Sequence, residues 1–261
     1  MNILINDPHK AECFSTLFQH MKLFTESTNV MFEQERVFIQ AMDSSRVSIL
    51  ELYLPAGWFD TYENTRGGTV VLGINATILF KVLSTRDKSQ SICLKFDESQ
   101  DDKLYVEFSS ANNKTVFDKF FEIPLMDIDE ELMSIPVMEH QAEFSLPSSN
   151  FASLVSQMKL FGDTLQVECT EEKIEMSAIS VDVGKMKVNI PIDDLTSFAI
   201  EEGGELDLSF SLTHLSSICA YSKLAKEVEI GVTMNYPVRL IYLLDGAGAK
   251  FVFYLAPKID S

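Results

Sequence analysis

Four histidines, four cysteines and two adjacent aspartate pairs are the side chains in this chain whose types suit catalysis or metal binding. Their spacing does not. His9, His20, His140 and His214 stand far apart, with no Cys or His at the separation of a metal site and no H-E-x-x-H run. Cys13, Cys93, Cys169 and Cys219 form no C-x-x-C, and each lies in an apolar or strand-like setting, which reads as a buried, reduced thiol of an intracellular protein. Asp101-Asp102 and Asp193-Asp194 have the chemistry of acid–base pairs but fall in turn sequences, where solvated carboxylates are ordinary. "DGAGAK" (Asp245 to Lys250) offers glycines and a lysine to a phosphate, yet lacks P-loop spacing and a following Ser or Thr, so it reads as a surface hairpin. No G-x-S-x-G occurs. The expectation is a non-enzyme without cofactor or metal.

The lysines follow a longer rule. Lys22 lies in "FSTLFQHMKLF" (Phe14 to Phe24), and Lys159 lies at the same place in "FASLVSQMKLF" (Phe151 to Phe161), 137 positions on. Apolar residues recur in both at i, i+3, i+4, i+7 and i+10, which predicts an amphipathic helix in each. Phe14, Leu17, Phe18, Met21 and Phe24 form one stripe; Phe151, Leu154, Val155, Met158 and Phe161 form the other. The opposite faces are polar and thinly charged. With 39 acidic against 21 basic residues, the net charge of −18 opposes phosphate binding unless the cations are segregated onto one surface.

The repeat continues at the same offset. "TNVMFEQERVFIQAMD" (Thr28 to Asp43) runs beside "LQVECTEEKIEMSAIS" (Leu165 to Ser180), each reading as strand, polar turn, strand. "GINATILFKVLS" (Gly73 to Ser84) and "SFSLTHLSSICA" (Ser209 to Ala220) predict a second amphipathic helix in each half, with Leu79, Val82 and Leu83 mirrored by Leu215, Ile218 and Cys219. Alternating strand segments follow: "SICLKF", "KLYVEF" and "TVFDKFFEI", then "VEIGV", "VRLIYLL" and "AKFVFYL". A unit this long signals duplicated domains and not a solenoid. The expected division is 1–123, a connecting loop at 124–141, and 142–261. That loop is apolar at Leu132, Met133, Ile135 and Val137, unlike an ordinary polar linker, and so is expected to dock something.

At 46% hydrophobic residues, with 19 Phe and only 8 Pro, the chain has material for two ordinary cores and no composition of disorder. "MNILINDPHK" has no basic start or apolar run of a secretory signal, and no stretch approaches the roughly 20 apolar residues of a membrane span.

Three stretches resemble the eukaryotic and archaeal sliding-clamp family, PCNA: "IQAMDSSRVSILEL" its centre loop, "PLMDIDEELMSIP" its interdomain connecting loop, and "FYLAPKID" its Leu-Ala-Pro-Lys tail. Order, spacing and duplicated plan agree along nearly all of the chain. The divergence elsewhere points to a member from a large DNA virus or a divergent eukaryote. The resemblance implies an α+β DNA-clamp fold, two duplicated domains each with two helices packed on antiparallel sheets, assembling with two further copies into a closed ring. It implies threaded duplex DNA, a DNA polymerase, a clamp loader and PIP-box proteins such as flap endonuclease and ligase as partners. It also implies a location in the nucleus or at a viral replication site.

By resemblance, a pocket for the PIP-box peptide is formed by Met42, Arg46, Val47 and Ile49, by Met133, Ile135 and Pro136, and by Pro237, Tyr254, Ala256 and Pro257. Convergence of apolar residues from three distant segments suits such a peptide. Met133 replaces the family's usual Leu, and Arg46 the common His. The subunit edges correspond to Thr115–Ile123, with Val116, Phe117, Phe120 and Phe121, and to Gly184–Ile190, with Met186, Val188 and Ile190. Ordinary internal strands alternate equally well. DNA would face Lys22, Lys81, Lys159, Lys223 and His20, while Ser84, Ser153, Ser156, Thr213 and Ala220 stand where bases are common. Glu171 occupies the position of the family's modified lysine, with Lys173 close by. A subunit of a heterotrimeric clamp and a scaffold that does not encircle DNA are the alternatives.

Each phosphate neutralised adds about 0.9 to the slope of log K against log salt. With so few basic residues on the helices, DNA binding without a loader is expected to be weak, with a shallow slope. A salt titration as steep as that of a strongly basic clamp would contradict this.

Overall fold

α1 (Pro8–Phe24) starts where the sequence supplies a helix start. Asp7 Oδ1 accepts from the His9 and Lys10 amides at 2.8 and 2.9 Å, and Pro8 takes the first position, where no N–H needs a partner. The expected stripe is the buried one: Phe14, Leu17, Phe18, Met21 and Phe24, joined by Ala11. The second copy, α3 (Ser148–Met158), is shorter. After it, Lys159 N still reaches Val155 O four residues back. Leu160 N and Phe161 N instead bond Gln157 O and Met158 O, three residues back. That tightening ends the helix. Phe161, expected on the stripe, is therefore half-buried in a turn, and Leu154 is half-buried too.

The computed structural model describes residues 1–64, 67–97, 99, 102–110, 115–244 and 248–258. Asp101 of the first aspartate pair, residues 245–247 of the glycine-rich hairpin and the last residues of the tail motif lie outside the described residues. Two units emerge. The first holds Met1–Ser44, Glu51–Leu132 and a short piece ending at Ala249. The second holds Ser45–Leu50, Met133–Leu244 and the chain from Lys250 on.

In the first unit, β1 (Asn2–Ile5), β5 (Thr61–Glu63), β7 (Ser91–Lys95), β8 (Lys103–Ser109) and β9 (Lys119–Pro124) form a sheet in the order β5-β1-β7-β8-β9. β2 (Ser27–Phe32), β3 (Arg36–Met42), β6 (Val70–Asn75) and β4 (Ser48–Pro55, from Glu51 on) run in the order β6-β2-β3-β4. In the second unit, β10 (Ala142–Pro147), β14 (Ser197–Ile200), β16 (Glu227–Val232), β17 (Val238–Leu243) and β18 (Lys250–Leu255) run β14-β10-β16-β17-β18. β11 (Thr164–Cys169), β12 (Lys173–Ser180), β13 (Gly184–Pro191) and β15 (Leu206–Ser211) run β15-β11-β12-β13.

The two orders are the same pattern, strand for strand, and the duplication reaches individual bonds. Glu33 N donates to Arg36 O at 2.9 Å in the β2–β3 turn, and Thr170 N, 137 positions on, donates to Lys173 O at 3.0 Å in the β11–β12 turn. The fold is α+β, as the sequence implied, with two helices and antiparallel sheets in each unit.

The second helices start later than expected, because their first predicted residues end strands. α2 (Ala76–Leu83) follows β6 and is capped by Asn75, whose Oδ1 accepts from Ile78 N at 2.9 Å. α4 (Leu212–Ile218) follows β15, and a 3-10 turn, Cys219–Lys223, continues it. Leu79, Leu83, Leu215, Ile218 and Cys219 are buried, but Val82 is only half-buried. Of the four free thiols, Cys169 and Cys219 are buried while Cys13 and Cys93 are half-buried, a correction to the expectation that all four are interior. Burial pushes Cys169 and Cys219 up to about 12, so neither is a thiolate.

The predicted edge strand Thr115–Ile123 is a second correction: β9 begins only at Lys119. Buried Gln90 donates through Nε2 to Phe117 O at 2.9 Å, and Asp118 Oδ1 accepts from Ser110 N at 3.1 Å. Side chains thus take the Phe117 carbonyl and the Ser110 amide, backbone groups that would otherwise open a ladder. Val116 and Phe117 therefore precede the strand.

The "MKLF" copies separate core from surface. Leu17 is fully buried, whereas Leu23 and its counterpart Leu160 are 68% and 70% exposed. Leu17→Ala is expected to cost about 2–5 kcal/mol in a urea melt, and Leu23→Ala less than about 0.5 kcal/mol.

Candidate partner pocket and helical face

The residues of the expected pocket belong to the second unit, with one exception. Between β3 and β4 the chain turns through Ser45, Arg46 and Val47, and Arg46 adopts φ 58°, a left-handed conformation uncommon outside glycine. Val47 O accepts from Ala256 N at 2.9 Å, joining this turn to the tail that follows β18. The tail is anchored further on: Lys258 N donates to Ser209 O at 2.7 Å, and Lys258 Nζ to Thr164 Oγ1 at 2.6 Å. Within the sheet, Tyr254 faces Arg239 and Leu255 faces Val238, so Pro237 stands at the same end of β17 as Ala256 at the end of β18. Ile49, Tyr254, Ala256 and Pro257 are half-buried, Val47 is 36% exposed, and Arg46 and Pro237 are exposed. Met42, half-buried at the end of β3, belongs to the first unit.

The connecting segment is fixed at both ends. At its start, Met126 N donates to Gly73 O at 2.9 Å, and Asn29 Nδ2 donates to Ile128 O at 3.0 Å. A Cβ on Gly73 would lie 2.1 Å from Met126 O, so glycine is required for that approach. At its other end, Gln141 Oε1 accepts from Met234 N at 2.8 Å, and the His140 ring lies against Gly231, where a Cβ would come within 2.6 Å of it. The stretch between has no regular structure; Met133, Pro136 and Val137 are exposed and Ile135 is half-buried. Met133, Ile135 and Pro136 share the second unit with the turn and tail.

Two side chains escaped the sequence reading. Met234 and Tyr236, 37% and 48% exposed, flank left-handed Asn235 in the turn that leads to Pro237. Apolar residues inside the turn sequence "TMNYP" were the available signal.

The helices carry little charge. α1 to α4 contain three lysines (Lys10, Lys22 and Lys81) and one acid, Glu12, whose carboxylate pairs with Arg86 at 2.9 Å. Lys22 Nζ sits 4.2 Å from the centroid of the Phe80 ring, a cation–π contact that leaves Lys22 half-buried. Lys81, Lys159 and Lys223 are exposed and His20 is half-buried. On α3 the polar face is occupied by neutral groups, with Gln157 Nε2 donating to Ser153 Oγ at 2.9 Å.

At the sheet margins, β9 and β13 are outermost in their sheets. Phe120 is 71% exposed on β9, while Phe121 turns inward with its ring 5.5 Å from that of Phe108. On β13, Met186, Val188 and Ile190 alternate as the half-buried face.

Comparison with known proteins decides the family. Residues 7–132 match the model for "Proliferating cell nuclear antigen, N-terminal domain", and residues 134–258 match that for its C-terminal domain. The chain belongs to the proliferating cell nuclear antigen family. A relative of that name from Chaetomium thermophilum is 28% identical over 255 residues, covering 96% of each chain. Proliferating cell nuclear antigens are sliding clamps, non-catalytic processivity factors of DNA replication. Among the described residues, no helix is long and apolar enough to cross a membrane, and no group of three His, Cys, Asp or Glu converges as metal ligands.

His140 ties the connecting segment to pH. Burial first, and the charge of Arg239 second, hold it below its ordinary 6.5, against the opposing influence of Glu143. The unfolded chain then takes up a proton at higher pH than the folded one. The stabilising contribution is complete above 6.5 and is lost as pH falls toward the depressed folded value. His140→Gln is expected to reduce the drop in urea midpoint between about pH 7.5 and about pH 5.5; equal drops in both proteins would contradict it.

Proposed function

We propose that this clamp closes with two further identical copies into a ring around duplex DNA and tethers DNA polymerase and other replication and repair proteins through a hydrophobic PIP-box pocket. The observation that carries the reading is the repetition of strand order. β9 has in the first unit the place that β18 has in the second, and β13 has the place of β4. Ser48–Leu50 of β4, which belongs to the second unit, lies beside β18. Pairing β9 of one copy with β13 of the next repeats that neighbourhood and covers two open margins. Phe120, Phe121, Met186, Val188 and Ile190 supply its side chains, with Phe117 just before the strand.

In this reading residues 1–123 and 142–261 are the domains and 124–141 the connecting loop. The helices turn toward DNA, with Lys22, Lys81, Lys159, Lys223 and His20 on that side. Such a surface suits sliding: it carries almost no acid to repel phosphate and few cations to grip it. The ring is opened by a clamp loader, and polymerase, flap endonuclease and ligase dock through Gln-containing peptides with a hydrophobic-aromatic plug. Met42, Arg46, Val47, Ile49, Met133, Ile135, Pro136, Pro237, Tyr254, Ala256 and Pro257 receive them. The work is done in a nucleus or at a viral replication site.

The mass of the purified chain tests the ring: three identical copies are expected, and a stable monomer would refute it. For the pocket, Ile135→Asp combined with Tyr254→Ala is expected to weaken binding of a PIP-box peptide at least about tenfold, since two apolar contacts are lost. Unchanged binding by calorimetry would remove the assignment.

A further inference from the structure

The turn that carries Arg46 and Val47 is held from both sides. On one side Val47 O receives Ala256 N at 2.9 Å. On the other, Ser45 Oγ lies 2.9 Å from His214 Nε2, and His214 Nδ1 lies 2.9 Å from Ser211 Oγ. A hydroxyl at each end donates or accepts as the imidazole requires, so the chain Ser45–His214–Ser211 is satisfied in either tautomer. Ser211 is the residue that would cap α4, yet its side chain makes no bond to a helix N–H and goes to the His214 ring three residues on. A capping hydroxyl has been diverted to orient an imidazole. The left-handed Arg46 sits between the two tethers, in a conformation that persists where its surroundings over-determine it.

Both walls are tied to one short stretch. The tail is bonded to Ser209 through the Lys258 amide, and the turn is bonded to His214. Ser209 lies in β15, two residues before its end, and His214 lies in the first turn of α4, so a span of five positions sets the spacing of two segments otherwise far apart in sequence.

We propose that His214 is a positioning residue for partner peptides: acting through Ser45, it holds Arg46 and Val47 at the separation from the tail that a bound peptide needs. This rests on the pocket reading above. His214 touches no peptide in this account. It acts on affinity by fixing the turn before binding, so that a partner does not have to order it.

The test is fluorescence polarisation with a synthetic PIP-box peptide, using full-length His214→Ala, Ser45→Ala, the double variant and His214→Gln. Each alanine variant is expected to weaken binding about fivefold, the scale of one lost hydrogen bond. The double variant should be no weaker than either single one, because one latch is removed once. His214→Gln, whose amide reaches toward Ser45, should recover most of the affinity at an unchanged oligomeric mass. Wild-type affinity in both alanine variants, or losses that multiply in the double one, would overturn the proposal. Amide exchange gives a reading that does not need the peptide. The Ala256 N–H, bonded to Val47 O, should exchange faster in His214→Ala than in the wild type, and equal rates would overturn the latch. A wild-type protein that fails to bind the peptide while Ala256 exchange responds to the substitution refutes the pocket and leaves the latch standing.

Discussion

A β-strand at the margin of a sheet leaves a row of N–H and C=O groups that only another strand, or water, can satisfy. Most of this molecule follows from how that requirement is met. Inside each unit, eleven elements in the same order pair nearly every strand, and the helices cover what the sheets leave apolar. Six strands still end a sheet, and two of them, β9 and β13, stand where β18 and β4 stand elsewhere in the chain. The margins are not blunted by short length: β9 has six residues and β13 eight. β13 brings Lys185 and Lys187 on its outer face, but its other face is apolar in alternation.

The charge distribution follows a different constraint. Of 39 acidic residues only Glu12 falls within α1 to α4, and its carboxylate is neutralised by Arg86. The helices gain their neutrality chiefly by omission, with Ser, Thr and Gln in place of charge. Lys22 spends part of its exposure on the Phe80 ring. A strongly acidic protein can therefore offer phosphate a nearly neutral layer, because in salt of physiological strength exposed charges more than about 8 Å away are largely screened.

Much of this was readable from residues alone, for a physical reason. Periodicities of 3.6 and 2 are consequences of burial, so α1, β7, β8, β16 and β17 announced themselves, and an offset of 137 revealed their duplication. The misses have a shared cause as well. Phe161 left its stripe because the last turn of α3 tightened. Val116 and Phe117 left their strand because the side chain of Gln90 took the Phe117 carbonyl. Both turn on particular hydrogen bonds, local backbone ones at the end of α3 and a side-chain one from distant Gln90, and the apolar pattern records neither. The expected pocket was read from resemblance to the family motifs, and the exposed Met234 and Tyr236 beside Pro237 were overlooked because a turn is not where apolar side chains are sought. Ser45 and His214, 169 positions apart, were beyond any reading of spacing.

β4 has one more consequence. Its first three residues and the turn before them belong to the second unit, while the rest belongs to the first. The boundary between units thus runs through the middle of a strand as well as through the connecting segment. A break at residues 132/133 would part the chain without parting the units, because Ser45–Leu50 would remain on the wrong fragment. The two halves read as copies, yet the units they form are interleaved along the chain at β4 as well as joined end to end.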